Sequence, residues 1–189
     1  MRVIAGIAKG TKLKVPSGLA IRPTTDRAKE ALFSVVSEKV GEARVLDLYA
    51  GAGSLGIEAL SRGAEEAVFV DSSKVATDTI IENLTRTGFL SKAVVLQTAV
   101  LKGVKRLTAA GKNQQFDLIF LDPPFKINII KLRIILSSLV QNRLVKKESV
   151  VILEHSSKVK APAIDNLELE VDRKYGDTTL SFYRSKAAL

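Results

Sequence analysis

Residues 44–63 read Arg-Val-Leu-Asp-Leu-Tyr-Ala-Gly-Ala-Gly-Ser-Leu-Gly-Ile-Glu-Ala-Leu-Ser-Arg-Gly, and this stretch decides the fold. Val45 to Tyr49 predict a strand, Gly51 and Gly53 a loop, and Leu55 to Arg62 a helix. The spacing Gly51-x-Gly53-x-x-Gly56 satisfies the dinucleotide-binding fingerprint, the opening unit of a doubly wound α/β domain. A helix beginning near Ser54 directs its N–H groups and the positive end of its dipole toward an anionic ligand group. Asp71 follows Gly51 by 20 residues, at the end of the apolar run Ala67–Val70, where an acid accepts the ribose hydroxyls of an adenosine. The glycine spacing alone is equally satisfied by a nicotinamide cofactor. Asp47, inside the strand, separates the two readings, because a cofactor with a cationic centre and an amino-acid tail has a use for an acid there.

A second corner lies at residues 117–125, Asp-Leu-Ile-Phe-Leu-Asp-Pro-Pro-Phe. The apolar run predicts a strand covered on both faces. It delivers Asp122 to the sheet edge, and the two prolines then forbid continuation as strand or immediate entry into helix. Asp122 Oδ and the carbonyl of Pro123 present two acceptors side by side, with the ring of Phe125 nearby. That combination suits a planar base carrying an exocyclic amino group. Taken alone, the same corner also fits a strand-ending turn with an N-capping Asp.

Asp47 through Gly56 resembles the first motif of S-adenosylmethionine-dependent methyltransferases, and Asp122-Pro123-Pro124-Phe125 resembles their Asn/Asp-Pro-Pro-aromatic motif. That second motif belongs to enzymes that methylate amino nitrogens of adenine, cytosine or guanine. Together with Arg22-Pro-Thr-Thr-Asp-Arg27, Glu58-Ala-Leu-Ser-Arg62 and Tyr175-Gly176, the order and spacing resemble the RsmD family, methyltransferases of guanine N2 in 16S ribosomal RNA. The similarity runs from about Arg2 to Arg184. It implies a class I methyltransferase (Rossmann-like) sheet and S-adenosylmethionine as cofactor. The implied cofactor residues are Asp47, Ala50, Gly51, Ala52, Gly53, Ser54, Asp71, Ser72, Thr98 and Ala99, with Thr24 and Thr25. Thr98 departs from the family pattern, which carries an acid or amide before alanine, so its hydroxyl, Gln97 or a backbone group must serve the adenine amino group. Arg22, Thr24, Thr25 and Arg27 resemble residues that close over cofactor or substrate; read alone, the threonines are helix caps and the arginines phosphate binders. Asp122, Pro123 and Phe125 are the implied catalytic residues.

A chain of 189 residues suffices for a single domain with a proper core, and no run of 18 apolar residues predicts a membrane span. The N-terminus lacks the apolar stretch of a signal peptide, which makes the cytoplasm the expected location. Without cysteine there is no disulfide, no thiolate metal site and no cysteine nucleophile, and no metal is expected. The net charge of +9 is unevenly spread: residues 1–23 carry Arg2, Lys9, Lys12, Lys14 and Arg22 with no acid, and 83–116 and 123–147 are also acid-free. Such stripes suit a phosphate backbone, and a generically basic surface is the plainer alternative. Arg2, Lys9, Lys12, Lys14, Arg22, Arg27 and Lys126 are the candidate RNA contacts. The partner implied by the resemblance is ribosomal RNA, naked or within a 30S subunit or assembly particle, bound by a monomer.

The expected order is a β-hairpin arm (Arg2–Gly6 and Thr11–Val15), a helix beginning at Thr24 or Thr25, then alternating strands and helices. Strands are predicted near 44–49, 67–71, 93–97, 116–121 and 149–154, and helices near 54–62, 74–87, 99–110 and 127–141. An antiparallel finish at 167–175 and 178–184 completes a mostly parallel, doubly wound seven-stranded sheet. Residues 1–23 form the arm and 24–189 the core of one methyltransferase domain. The rivals to guanine-N2 methylation are adenine-N6 or cytosine-N4 methylation, a nicotinamide-dependent oxidoreductase, and a catalytically silent nucleic-acid-binding domain. His155, the sole histidine, is assigned a structural role.

Overall fold

A computed structural model of the protein describes residues 1–16, 26–109 and 115–186. Helix α1 (Asp26–Val35) precedes strand β1 (Arg44–Leu48), helix α2 (Ser54–Ser61), β2 (Glu66–Asp71) and α3 (Lys74–Thr87). There follow β3 (Ala93–Gln97), α4 (Val100–Ala109), β4 (Phe116–Leu121), α5 (Ile129–Gln141), β5 (Val145–Ser156), β6 (Leu167–Tyr175) and β7 (Thr178–Ser185). They form one seven-stranded sheet in the order β3-β2-β1-β4-β5-β7-β6. The first five strands in that order run parallel, while β7 is antiparallel to both β5 and β6. The chain order reverses between β1 and β4, which makes that crevice the switch point where doubly wound sheets bind ligands.

Strand alternation divides the core into two layers. Val45, Phe69, Leu118 and Phe120 pack with Leu32 and Phe33 of α1, Ile57 of α2 and Ile80 of α3. Leu46, Leu48, Val70, Ile119 and Leu121 pack on the other face with Val104 of α4 and Ile135 and Leu139 of α5. The central strands are buried on both faces, which is why they read as continuous apolar runs. Helix α5 starts two residues later than expected, because Ile127 N–H turns back to the carbonyl of Pro124 and Asn128 caps Ile130 N–H. Helix α1 buries Ala28, Lys29, Leu32 and Phe33, whereas Val35 in its last turn is exposed.

The arm folds back as a hairpin shorter than expected: Val3 N–H donates to the carbonyl of Thr11 (3.0 Å) and Leu13 N–H to that of Met1 (3.1 Å), around an antiparallel bridge between Arg2 and Lys12. The ladder is short because other backbone donors of the arm go to the core. Ile4 and Ala5 N–H donate to the Glu58 carboxylate (2.7 and 3.0 Å), Ala8 N–H to Ser61 Oγ, and Lys14 N–H to Asn83 Oδ1. Donors spent on the core are lost to a strand ladder. Glu58 is wholly buried with Lys29 (3.2 Å) and also takes Arg62 Nε (2.8 Å), while Lys29 Nζ donates to the carbonyl of Arg2. Burial pushes the Lys29 ammonium below its ordinary pKa, and the Glu58 carboxylate opposes that shift.

Candidate active site

The two corners meet because of strand register. Leu48 of β1 pairs with Val70 of β2 on one side and Leu121 of β4 on the other. Tyr49, Asp71 and Asp122 are the next residues along, so they stand level at the carboxyl rim on three adjacent strands. Asp71 and Asp122 are two strand spacings apart, about 10 Å, with the glycine loop rising between them. Asp122 N–H donates to the carbonyl of Leu48 (3.4 Å), joining the Pro-Pro corner to the strand beneath the loop.

The glycine loop is braced from three sides. Asp71 Oδ2 accepts Gly51 N–H (3.0 Å) and its Oδ1 accepts Ser73 N–H (2.9 Å). Asp47, only 2 % exposed, accepts Gly56 N–H at Oδ2 (2.9 Å). Burial raises the Asp47 carboxyl from the ordinary range to about 7; the Gly56 N–H opposes this, and the Asp71 charge adds to it. The third brace is Asn83, whose Nδ2 donates to the carbonyl of Ala52 (3.0 Å).

Backbone conformation explains the residue choices. Gly53 caps α2 at φ 74°, and a Cβ there would lie 3.2–3.4 Å from Ile80, Phe69 and Ile57. Gly53 is therefore required by its left-handed backbone and by the core beneath it. A Cβ at Gly56 would come within 2.3 Å of the Phe69 ring, so that glycine permits α2 to close on β2. Tyr49, half-buried at the strand end, also adopts a positive φ of 60° without being glycine. A left-handed tyrosine costs about 1–3 kcal/mol and is the kind of strain that marks functional corners.

Pro123 is buried, Asp122 half-buried, and Phe125 40 % exposed at the rim, with Lys126 exposed beside it. Thr98 is anchored by its N–H to the carbonyl of Asp71 (2.8 Å), which brings it and exposed Ala99 to the outer side of the loop, with Ser72 exposed next to Asp71. Arg27 is exposed in the first turn of α1; Arg22, Thr24 and Thr25 lie outside the described residues. In the arm, Lys9 and Lys12 are exposed, while Arg2 pairs with Asp26 (3.0 Å) and Lys14 with Glu82 (2.6 Å). The acid-free stripe of the sequence thus acquires acids from α1 and α3. The arm is tied to the glycine loop through Asn83, which bonds both Lys14 and Ala52. His155 has a structural environment: Nε2 meets Ser181 Oγ (2.7 Å) and Nδ1 the carbonyl of Ser156 (3.0 Å). Asn83 and Lys29 were missed, though both left a trace as polar residues on otherwise apolar helix faces.

Comparison with known proteins agrees with this geometry. Residues 1–184 match the family described as "Conserved hypothetical protein 95". The Haemophilus influenzae protein "Ribosomal RNA small subunit methyltransferase D" is 33% identical over 187 residues, 98% of this chain and 94% of that one. The chain belongs to the RsmD family of methyltransferases. The solved structure of a hypothetical protein from Thermus thermophilus superposes with a TM-score of 0.82 at 30% identity, covering 97% of this chain and 99% of that one. SMU.776, solved with SAH bound, shares the fold with a TM-score of 0.67 at 10% identity, over 80% of this chain and 48% of that chain. As a member of its family, the protein is a methyltransferase whose cofactor is S-adenosylmethionine. The site fits that cofactor: an acid stands at the β2 terminus, and a left-handed loop at the switch point leads into a helix whose glycine cap contributes no side-chain hydrogen bond.

Proposed function

We propose that the protein transfers the methyl group of S-adenosylmethionine to the exocyclic N2 of a guanine in 16S ribosomal RNA, acting in the cytoplasm. The observation that carries this reading is the level placement of Asp71, the glycine loop and the Asp122-Pro-Pro-Phe corner on adjacent strands. The substrate class rests on relatives named as small-subunit ribosomal RNA methyltransferases, and the N2 position on the resemblance of all the motifs together, in order and spacing, to the RsmD family.

The bound cofactor supplies a methyl group already activated on a sulfonium, so the protein's task is placement. Asp71 keeps its two backbone donors and still has lone pairs for ribose hydroxyls. Asp122 and the Pro123 carbonyl accept the two amino hydrogens of the base. A guanine amino lone pair is delocalised into the ring and nucleophilically weak; holding both hydrogens turns the lone pair toward the methyl group. The Asp122 carboxylate then stabilises positive charge as it develops on nitrogen. Phe125, exposed at the rim, stacks on the base. Because edge and face are both engaged, the base must be unpaired or flipped out.

The test is incubation with labelled S-adenosylmethionine and under-methylated 16S RNA, naked and in 30S particles, followed by nucleoside mass analysis. N2-methylguanosine at one position is the expected product. Label on adenine N6 or cytosine N4 would overturn the assignment of the base, and absence of transfer to either form of RNA would overturn the substrate class.

A further inference from the structure

A cleft of about 380 Å³ lies between the first turn of α1 and the turn joining β6 to β7, lined by Arg27, Ala28, Lys174, Tyr175 and Gly176. None of these residues belongs to the glycine loop or the Pro-Pro corner. Its volume falls in the range of small-ligand sites, about 300–1,000 Å³. Among the described residues, the lining contains two exposed cations, one half-buried aromatic ring and no acid. We propose that this cleft is an RNA subsite that takes a nucleotide flanking the methylated one, Arg27 and Lys174 gripping phosphate and Tyr175 stacking on the base. The inference rests on the RNA reading of the active site.

Both walls are held in place by contacts unrelated to the cleft. On the α1 side, Asp26 is paired with Arg2 and Lys29 with buried Glu58, so the residues flanking Arg27 are tied to the arm and to α2. Arg27 itself is left exposed, and its guanidinium fork matches phosphate geometry. On the other side, Lys174 and Tyr175 pair with Thr179 and Thr178 across the hairpin. The turn is closed by Gly176 at φ 60°, and Ser157 N–H donates to the carbonyl of Asp177 (2.8 Å). Tyr175 packs partly against the core, so its ring borders the cleft as a fixed platform.

Topology gives the cleft its relation to the reacting base. Leu153 of β5 pairs with Leu121 of β4, and Ser156 with Thr178 of β7. The β6–β7 turn therefore opens on the same rim as Asp122; Lys174 and Tyr175, on β6, stand three strand spacings from β4, about 14 Å laterally. A strand leaving the Asp122 corner along this rim reaches the cleft within a few flanking nucleotides. Arginine, lysine and an aromatic ring at that distance are what a flipped nucleotide needs for its neighbour: charge for the backbone and a face for the adjoining base.

The experiment measures binding of a fluorescent single-stranded, guanine-containing RNA oligonucleotide and of the same oligonucleotide made abasic at the nucleotides flanking that guanine. Arg27→Ala/Lys174→Ala should weaken binding of both and lower the slope of log K against log [salt] by about 1.4, roughly 0.7 per phosphate contact. Tyr175→Ala should weaken binding of the intact oligonucleotide roughly 5- to 150-fold and leave the abasic one unchanged, while Tyr175→Phe keeps both. Unchanged thermal stability and S-adenosylmethionine affinity certify folding, and Arg27→Gln with Lys174→Gln replaces the alanine pair if it fails that check. Wild-type affinity and salt slope in the folded cation variants would overturn the subsite. Weakened binding by the variants, in a protein whose wild type binds RNA without methylating guanine N2, would sink the proposed function and leave the cleft standing. Guanine methylation with all variants binding like wild type would sink the cleft alone.

Discussion

Asn83 Nδ2 donates to the carbonyl oxygen of Ala52 at 3.0 Å, fastening α3 to the glycine loop. The same nitrogen donates to the carbonyl of Lys14 (2.9 Å), and Oδ1 accepts Lys14 N–H (2.8 Å). One wholly buried amide therefore joins the basic arm to the cofactor loop. Asn83→Leu would leave buried backbone groups unsatisfied, each worth about 1–3 kcal/mol. We expect a lower melting temperature, faster hydrogen exchange at the Lys14 amide and several-fold weaker S-adenosylmethionine binding by calorimetry. Weakened arm protection with unchanged cofactor affinity would show that the loop stands without the arm.

Glu58 and Lys29 form the other clasp. Removing one partner of a buried pair typically costs about 3–5 kcal/mol, because the survivor remains buried and charged. Lys29→Met should fall near the lower end, since Arg62 and two backbone amides still serve Glu58. Adding Glu58→Gln to Lys29→Met should cost less than the sum of the single changes in denaturant melts. Strict additivity would deny the pairing.

Asp47 predicts a pH dependence of unusual sign for a carboxylate. Its folded pKa is raised to about 7 by burial, then by Asp71 against the Gly56 N–H, from an ordinary 3.8. Between these values the native state holds a proton that the unfolded chain has lost, so this group's contribution falls as pH rises from about 4 to 7. It is level below and above that window. Asp47→Asn keeps an acceptor for Gly56 without the charge. The stability difference between variant and wild type should therefore grow across pH 4–7 and plateau above, to at most about 4 kcal/mol at 1.36 per unit. A difference independent of pH would rule out the perturbed carboxyl.

The Pro-Pro corner should govern turnover and leave cofactor binding nearly intact. Asp122→Ala is expected to hold S-adenosylmethionine affinity within a few-fold while reducing methyl transfer by about 10²–10³, the scale for one preorganised electrostatic group. Phe125→Tyr should retain activity because a stacking face survives, and Phe125→Ala should lose about 1–3 kcal/mol of base binding. Single-turnover rates alongside calorimetry decide it, and near-normal transfer in Asp122→Ala would remove that residue from the mechanism.

The arm lysines separate RNA contact from packing. Replacing Lys9, Lys12 and Lys14 with Gln should flatten the salt dependence of RNA binding by up to about 2 units of slope. Lys14 already pairs with Glu82 on an exposed surface, a contact worth little to stability. The melting temperature should hardly move. An unaltered slope would return the arm to a purely structural role.

The sheet was legible in the sequence because its signals are local. Strand hydrophobicity, the Gly51-x-Gly53-x-x-Gly56 spacing and the prolines at 123 and 124 each act within a few residues, through backbone freedom and side-chain alternation. The order of strands and helices followed from them, as did the two corners and the acid closing β2. What the tertiary structure alone decided is who partners whom across distance. The arm reads as a hairpin, yet the amides of Ile4, Ala5, Ala8 and Lys14 go to Glu58, Ser61 and Asn83, because pairing choices depend on which buried acceptors come within reach after α2 and α3 dock. Phe69 and Ile80, remote in the chain, crowd Gly53 from beneath. Burial raises the pKa of Asp47 to about 7 while the same carboxylate braces Gly56. Spacing along the chain determines which groups can form an element; desolvation and contact between elements determine what those groups then do.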